Sequence, residues 1–217
     1  MKTGLLFAAK PEAAALLSCG FFGWKKIGSG LYDSEKTNSM LCIGGIGHEK
    51  AVNAFSLSAQ KCNRIFIFGT CAALVSELPI FTFCVPISGV RHEKSSDIFA
   101  PDNKLSSELT NILSSLKINF RTDLKLTSTD KIVASKEQAQ NLHCITEAFI
   151  ADMESATFLQ QAAIHHIPTA ILKVISDNPA ADISPFDKET NSSLNKWSEN
   201  TAKISTYFSA IAKLLLS

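Results

Sequence analysis

The sequence lacks the features that mark several large classes of protein. None of its six cysteines forms a Cys-X-X-Cys pair, and its five histidines do not have the spacing of zinc ligands. No apolar run reaches the roughly 20 residues that a membrane-spanning helix needs. The net charge is +1, and neither sign is concentrated in one stretch. The sequence therefore gives no support to a zinc site, a membrane span or a nucleic-acid partner.

The sequence does contain enough apolar residues for one sizeable core. Its 217 residues are 46% hydrophobic, which fits one globular domain, residues 1–217, better than two. Most of the cysteines lie inside apolar runs, as reduced core cysteines do. We therefore expect a single domain in the cytoplasm.

Strand-like and helix-like patterns alternate along most of the chain. This alternation predicts an α/β fold in three layers, with a central, mostly parallel but mixed twisted sheet and helices on both sides. Residues 89–103 are polar and are predicted to form an irregular loop. The predicted strands are residues 3–9, two strands within 24–45, 65–68, 81–88, 123–127, 148–151 and 168–175. The predicted helices are residues 11–18, 48–61, 105–116, 136–142, 152–165 and 186–216.

Acidic residues follow three of the predicted strands. They are Glu12, the pair Asp152 and Glu154, and Asp177. In sheets of this kind, ligands bind beyond the carboxyl ends of the strands. We therefore expect these carboxylates, together with Gly69–Ala73, to surround one site.

Each acid also has a simpler structural interpretation. Glu12 and Glu154 suit the first turn of a helix, where the helix dipole favours a negative charge by about 0.3–1 kcal/mol. Asp177 suits a turn. Gly44-Gly-Ile-Gly47 resembles a dinucleotide-binding turn, but Lys50 replaces the third glycine of that motif, which favours an ordinary tight turn. It is the combination of three acids at strand ends that indicates a functional site.

The same residues resemble a known superfamily. Gly44-Gly-Ile-Gly47, Gly69-Thr-Cys-Ala-Ala73, Asp152-Met-Glu-Ser155 and Ile175-Ser-Asp177 are similar in order and spacing to the nucleoside phosphorylase/nucleosidase superfamily. Within it, the chain most resembles the methylthioadenosine/S-adenosylhomocysteine nucleosidases and the futalosine hydrolases. The resemblance implies cleavage of a purine nucleoside, a homodimer, and no metal or organic cofactor.

The resemblance also implies roles for single residues. Asp177 would protonate the purine, Glu12 would activate a water molecule, and Glu154 would bind the ribose hydroxyls. Met153 would pack on the sugar, and Asp152 would either contact the substrate or cap the following helix. Further substrate contacts are implied at Thr70, Cys71, Ala72, Ile132, Val133, Lys173, Ser176 and Phe186.

Departures from the family pattern leave the substrate open. Ile132 stands where an aromatic residue is common, and Lys173 replaces an arginine. These changes favour a nucleoside with a larger 5′ group, such as futalosine or its 6-amino form from menaquinone biosynthesis, over methylthioadenosine. Glu12 favours water over phosphate as the nucleophile because a carboxylate repels phosphate. The alternatives are a phosphorylase, a nucleoside-binding module without turnover, and a structural protein.

Overall fold

The computed structural model describes the backbone of residues 1–92, 94–181 and 193–217, and the side chains of these ranges except those of residues 94–96 and 193–196. The strands are β1 Thr3–Phe7, β2 Lys25–Gly28, β3 Leu31–Ser34, β4 Ser39–Ile43, β5 Arg64–Ala73, β6 Phe83–Cys84, β7 Ser88–Arg91, β8 Lys94–Phe99, β9 Phe120–Arg121, β10 Lys125–Ser128, β11 Ile150–Asp152 and β12 Thr169–Asp177. The helices are α1 Ala14–Ser18, α2 His48–Ala59, α3 Asn103–Ser115, α4 Lys136–Thr146, α5 Ser155–His165 and α6 Ser193–Leu215. Short 3-10 helices cover Lys10–Ala13 and Pro179–Ala181.

The strands form one mixed sheet in the order β2-β3-β4-β1-β5-β11-β10-β7-β8, and β12 also pairs with β5. The pairs β1–β4, β1–β5, β5–β12, β10–β11 and β7–β10 are parallel. The pairs β2–β3, β3–β4, β5–β11 and β7–β8 are antiparallel. This arrangement confirms the predicted α/β fold with a mixed central sheet flanked by helices.

Alternate side chains of the central strands pack on opposite faces of the sheet. Phe7 and Phe68 face α6, where the ring of Phe208 stacks on Phe68 with 5.4 Å between the centroids. Leu6 lies on the other face with Phe55 of α2. Burying one such side chain contributes about 1.5–3 kcal/mol, so both helical layers are held to the sheet mainly by apolar contact. The carboxyl ends of β1 and β12 are thereby fixed beside β5, and the antiparallel strand β11 pairs with Ala72 and Ala73 at the end of β5.

Residues 24–45 form three strands, and the prediction of two was wrong. The chain reverses at Gly30, which has a φ of +67°. A Cβ at Gly30 would lie 2.4 Å from the carbonyl oxygen of Ile43. Glycine therefore permits a tight turn between β2 and β3, inside a stretch that reads as one strand.

Residues 89–103 are also more regular than the sequence predicts. β7 and β8 form an antiparallel pair, in which Gly89 faces Phe99 and Val90 faces Ile98. The hairpin is at the edge of the sheet, and Ile98 is 56% exposed. Polar composition is compatible with an edge strand because one side meets solvent. The irregular loop was therefore a wrong prediction.

Two helices were predicted to start at residues 152 and 186. α5 begins at Ser155 and not at Asp152, because Asp152 is the last residue of β11. The predicted start of the last helix, at residue 186, lies outside the described residues. In the parts of the chain that the structure describes, no helix combines the length and the apolar character needed to cross a membrane.

Candidate active site

A cavity of about 260 Å³ opens at the carboxyl ends of the central strands, where the sequence predicts a ligand site. The predicted site residues line this cavity, except Lys173, which is buried against Asp152, and Phe186, which lies outside the described residues. The lining residues are Ala8, Ala9, Glu12, Ile46, Thr70, Cys71, Ala72, Thr129, Lys131, Ile132, Val133, Ala151, Asp152, Met153, Glu154, Ser176, Asp177 and Trp197.

Glu12 lies in the 3-10 helix that follows β1. Pro11 suits the first turn of this helix because its missing N–H would be unpaired there in any case. The Glu12 carboxylate is 4% exposed and accepts three hydrogen bonds. The donors are the backbone N–H of Ala9 at 3.0 Å, the backbone N–H of Thr70 at 2.7 Å and the Thr70 hydroxyl at 2.9 Å. These contacts fix one carboxylate orientation at the cavity wall.

The Asp152 carboxylate contacts an ammonium group, two hydroxyl groups and a backbone N–H of the protein. Lys173 Nζ lies 2.7 Å from Asp152 Oδ2, and both side chains are 3% exposed. The Ser128 hydroxyl donates to Asp152 Oδ1 at 2.6 Å, and the Ser155 backbone N–H and hydroxyl donate at 3.1 and 2.5 Å. Asp152 therefore joins β10, β12 and the start of α5, as a helix cap would, although it also lines the cavity.

Lys173 is the cation beside three carboxylates. Burial alone would lower the pKa of Lys173, but the negative charges of Asp152, Glu12 and Glu154 raise it above its ordinary value. Burial alone would raise the pKa of Asp152, and the Lys173 ammonium with the donated hydrogen bonds lowers it. A Cβ at Gly69 would lie 2.8 Å from Lys173 Nζ and 3.2 Å from Glu12 Oε1. The absence of a side chain at Gly69 thus leaves room for the ammonium beside Glu12.

Glu154 follows β11 and reaches the amino terminus of a different helix. Its Oε1 accepts a hydrogen bond from the Gly47 backbone N–H at 2.8 Å, immediately before α2. Gly47 has a φ of +102°, which glycine adopts readily. Burial and the nearby Asp152 raise the pKa of Glu154 to about 7, although Lys173 and the Gly47 N–H act in the opposite direction. The dipole that faces Glu154 is therefore that of α2.

Asp177 ends β12 at a β-bulge. Ile175 pairs with Cys71 and Asp177 pairs with Ala72, so Ser176 is the extra residue. Bulges next to active sites change the direction of a side chain. The Ser176 hydroxyl donates to Asp177 Oδ1 at 2.7 Å. Burial raises the pKa of Asp177 to about 7, and the Ser176 hydrogen bond offsets only part of this rise.

The strand segment Thr70-Cys-Ala72 forms one wall of the cavity. These residues belong to β5, which continues beyond the predicted strand because they pair with β12. Burial raises the pKa of the Cys71 thiol well above its ordinary value. Cys71 is therefore a neutral thiol at the wall and a poor nucleophile.

The cavity lining includes residues that were not predicted. Ile132, which was predicted, is 50% exposed, and Val133 is 6% exposed and belongs to a buried cluster that includes Ala151 and Ala180. Lys131 and Trp197 lie on the same cavity but were missed. Trp197 lies within the predicted last helix, and nothing in the sequence pattern separates a core tryptophan from a cavity-lining one.

Comparison with known proteins identifies the family. The family model described as the phosphorylase superfamily matches residues 27–211. The chain belongs to the phosphorylase superfamily. A curated relative, the aminodeoxyfutalosine nucleosidase of Helicobacter pylori, is 23% identical to it, and the match covers 95% of each chain.

Solved structures share the fold of this phosphorylase-superfamily protein. A mutant of the futalosine hydrolase of Helicobacter pylori superimposes with a TM-score of 0.82 at 20% identity, covering 98% of this chain and 99% of that one. The 5′-methylthioadenosine/S-adenosyl homocysteine nucleosidase of Campylobacter jejuni superimposes with a TM-score of 0.81 at 16% identity, covering 98% of each chain.

The geometry gives this superfamily member the groups for acid–base chemistry. Asp177, with a pKa of about 7, can hold and donate a proton at neutral pH. Glu12 presents a fixed carboxylate on the same cavity. In the described ranges, no cluster of histidine, cysteine, aspartate and glutamate side chains is arranged to ligate a metal ion.

Proposed function

We propose that the protein is a hydrolase that cleaves the N-glycosidic bond of a 5′-substituted purine nucleoside. The products are the free base and a 5′-substituted ribose. One observation carries this proposal: Asp177, Glu12 and Glu154 come from distant parts of the chain and surround one cavity at the strand ends. The relatives named as an aminodeoxyfutalosine nucleosidase and a futalosine hydrolase support the same reaction class.

Asp177 acts as the general acid. Burial favours its protonated form near neutral pH, as a proton donor to the leaving group requires. The bond between C1′ and N9 breaks, its electron pair stays with the purine, and the proton moves from Asp177 to N7. The base then leaves neutral, and positive charge develops on the ribose ring.

Glu12 acts on the water molecule. Water attacks C1′ through its oxygen, and one of its protons moves to a Glu12 oxygen, so that the ribose gains a hydroxyl group. The backbone N–H groups of Ala9 and Thr70 hold this carboxylate in place, which lowers the entropic cost of the step. Asp177 then takes up a proton from solvent, and Glu12 releases its proton to solvent.

Glu154 and Met153 bind the sugar. An ionised Glu154 accepts hydrogen bonds from the ribose hydroxyls, and this contact strengthens as the ring becomes positive. Its raised pKa makes ribose binding depend on pH around neutrality. Met153 lines the same cavity and packs on the sugar.

The charge of the site favours hydrolysis over phosphorolysis. Phosphate would enter beside Glu12 and Glu154, which are 4% and 5% exposed. The Lys173 ammonium nearby is engaged by Asp152 at 2.7 Å. An additional anion is repelled strongly at such short range in a poorly solvated site, whereas water is not.

A futalosine-type nucleoside is the substrate that we favour, and 6-amino-6-deoxyfutalosine is the first to test. The departures at Ile132 and Lys173 and the curated relative support this choice. Methylthioadenosine and S-adenosylhomocysteine are the other candidates. A homodimer and a cytoplasmic location are further proposals from the family resemblance.

The experiment that tests this function is a substrate panel with and without phosphate. Purified protein is incubated with 6-amino-6-deoxyfutalosine, futalosine, methylthioadenosine, S-adenosylhomocysteine and inosine, and free base is separated and quantified. We expect base release from at least one 5′-substituted nucleoside in phosphate-free buffer. Release that requires phosphate would indicate a phosphorylase, and binding without release from any nucleoside would indicate a binding module.

A further inference from the structure

Trp197 differs from the other apolar residues of α6. Ile204, Phe208 and Leu215 belong to the hydrophobic core and are at most 5% exposed. Trp197 is half-buried and lies in none of the core clusters. It lines the active-site cavity instead. Its indole ring thus meets the cavity, although its helix packs elsewhere on the core.

Trp197 is the only aromatic side chain among the described residues that line this cavity. A purine has two large faces, and aromatic stacking on a base is worth about 1–3 kcal/mol. Ile132 provides an aliphatic contact only. Within the described part of the site, stacking on a base therefore depends on Trp197.

A hydrogen bond one helical turn beyond Trp197 joins α6 to the Asp177 end of the cavity. Asn200 is three residues further along α6, and residues with this spacing share one side of a helix. The Asn200 side-chain amide donates to the Ser176 carbonyl oxygen at 3.1 Å, and the Ser176 hydroxyl donates to Asp177. Asp177 is the group that meets the leaving base in the proposed reaction.

Glu154 is held by a helix of the other layer. It is bonded to Gly47, at the start of α2. α2 packs on the sheet face opposite to α6. The Glu154 carboxylate and the indole ring are therefore supported by helices on opposite faces of the sheet, and both line the same cavity.

We propose that Trp197 is the base-stacking and specificity-determining residue of this site. It supplies the planar aromatic contact for the purine at the Asp177 end, which Ile132 cannot supply. This inference rests on the proposed nucleosidase function, but it concerns recognition of the base and not the cleavage step.

Intrinsic fluorescence gives a test that leaves Trp197 intact. The chain has two tryptophans, and Trp24 stacks on Phe22 outside this cavity. Trp24→Phe therefore leaves Trp197 as the sole tryptophan. We expect adenine or hypoxanthine, added as the free base, to change the emission of this variant in a saturable way. Emission that changes with neither adenine nor hypoxanthine would overturn the inference.

Matched substitutions in the otherwise unaltered protein measure the size of the contact. Trp197→Leu should weaken the calorimetric Kd of the free base by about 5- to 150-fold, and Trp197→Phe should retain most of the affinity. Thermal melting of both variants checks that they fold. An unchanged Kd for the free base in folded Trp197→Leu would contradict the inference. A loss of affinity that appears only with ligands carrying the 5′ group would also contradict it, because it would place the indole ring at the 5′ end of the site.

The two proposals fail separately. Free base that binds at Trp197 without release of base from any nucleoside would retain the stacking site and overturn the hydrolase. Release of base by wild type and folded Trp197→Leu with equal KM, together with unchanged fluorescence, would retain the hydrolase and overturn the role of Trp197.

Discussion

Replacing Lys173 by methionine removes the cation beneath the active site while keeping a side chain of similar length. Lys173 and Asp152 are each 3% exposed and are joined at 2.7 Å. In Lys173→Met, the Asp152 carboxylate stays buried without its counter-charge, and Glu12 and Glu154 lose the same stabilising influence. We expect a large loss of stability.

The magnitude follows from the burial of the pair. Removing one partner of a buried ion pair costs about 3–5 kcal/mol, because the other charge is left uncompensated. For a chain of this size, 1 kcal/mol changes Tm by about 2–4 °C, so that Lys173→Met should melt roughly 6–20 °C lower. The matched control is Lys125→Met. Lys125 pairs with Glu147 at 3.4 Å, but Glu147 is 85% exposed. Breaking that surface pair should cost at most about 1 kcal/mol.

The assay is urea unfolding followed by circular dichroism at several pH values, for the wild type and both variants. In the wild type, the pKa of Asp152 is lowered by folding. Its stabilising contribution is therefore present above the ordinary aspartate range and is lost as the pH falls below it. In Lys173→Met, protonation relieves the unpaired charge, so the deficit should be largest at alkaline pH and smaller in mild acid.

Two results would contradict a stabilising role for the Lys173 charge. One is a deficit in Lys173→Met no larger than that of Lys125→Met. The other is a large deficit that does not change with pH, because it would arise from packing and not from charge. A double variant, Lys173→Met with Asp152→Asn, should be more stable than the sum of the single losses predicts, since it removes both charges.

Four further predictions concern the chemistry. Asp177→Asn should lower kcat about 10²- to 10⁴-fold, yet melt higher than wild type at pH 8, because its raised pKa means that ionisation above about pH 7 destabilises the fold; a lower Tm at pH 8 would contradict this. Glu12→Gln should lower kcat by a similar factor with little change in KM, since in the proposed reaction water and not the nucleoside contacts this residue; steady-state kinetics that show only a raised KM would exclude the role. Glu154→Gln should raise KM as well as lower kcat, and a 2′-deoxy substrate should lose less activity with this variant than with wild type. The pH profile of kcat/KM should be a narrow bell centred near pH 7, because Asp177 must be protonated and Glu154 ionised and both have pKa values of about 7; a flat profile from pH 5 to 9 would oppose it.

The general location of the site was predictable from local pattern. Glu12, Glu154 and Asp177 each follow a strand-like run, and parallel strands bring their carboxyl ends to one edge of a sheet. The rule holds for Glu12 and Asp177, whereas the strand before Glu154, β11, pairs antiparallel with β5. Strand identity followed from continuous apolar runs such as Ile65–Phe68. The residues were therefore expected to meet, and the cavity contains all three.

Contacts between residues far apart in the sequence determined the features that local pattern did not predict. The partner of Lys173 is Asp152, which is 21 positions away and on a neighbouring element. The group that holds Glu154 is Gly47, more than 100 positions away. The bulge at Ser176 depends on pairing with β5, and the exposure of Trp197 to the cavity depends on how α6 meets β12. None of these contacts produces a periodic pattern in the sequence, because each joins segments that are brought together only by the complete fold.

In the proposed function, the cavity bounded by Asp177, Glu12 and Glu154 hydrolyses a purine nucleoside. The most direct measurement is the release of free base from 6-amino-6-deoxyfutalosine in phosphate-free buffer, by wild type and by Asp177→Asn side by side. We expect equal amounts of base and 5′-substituted ribose from the wild type, and release about 10²- to 10⁴-fold slower from the variant. Equal rates from the two proteins, or release only when phosphate is added, would contradict it.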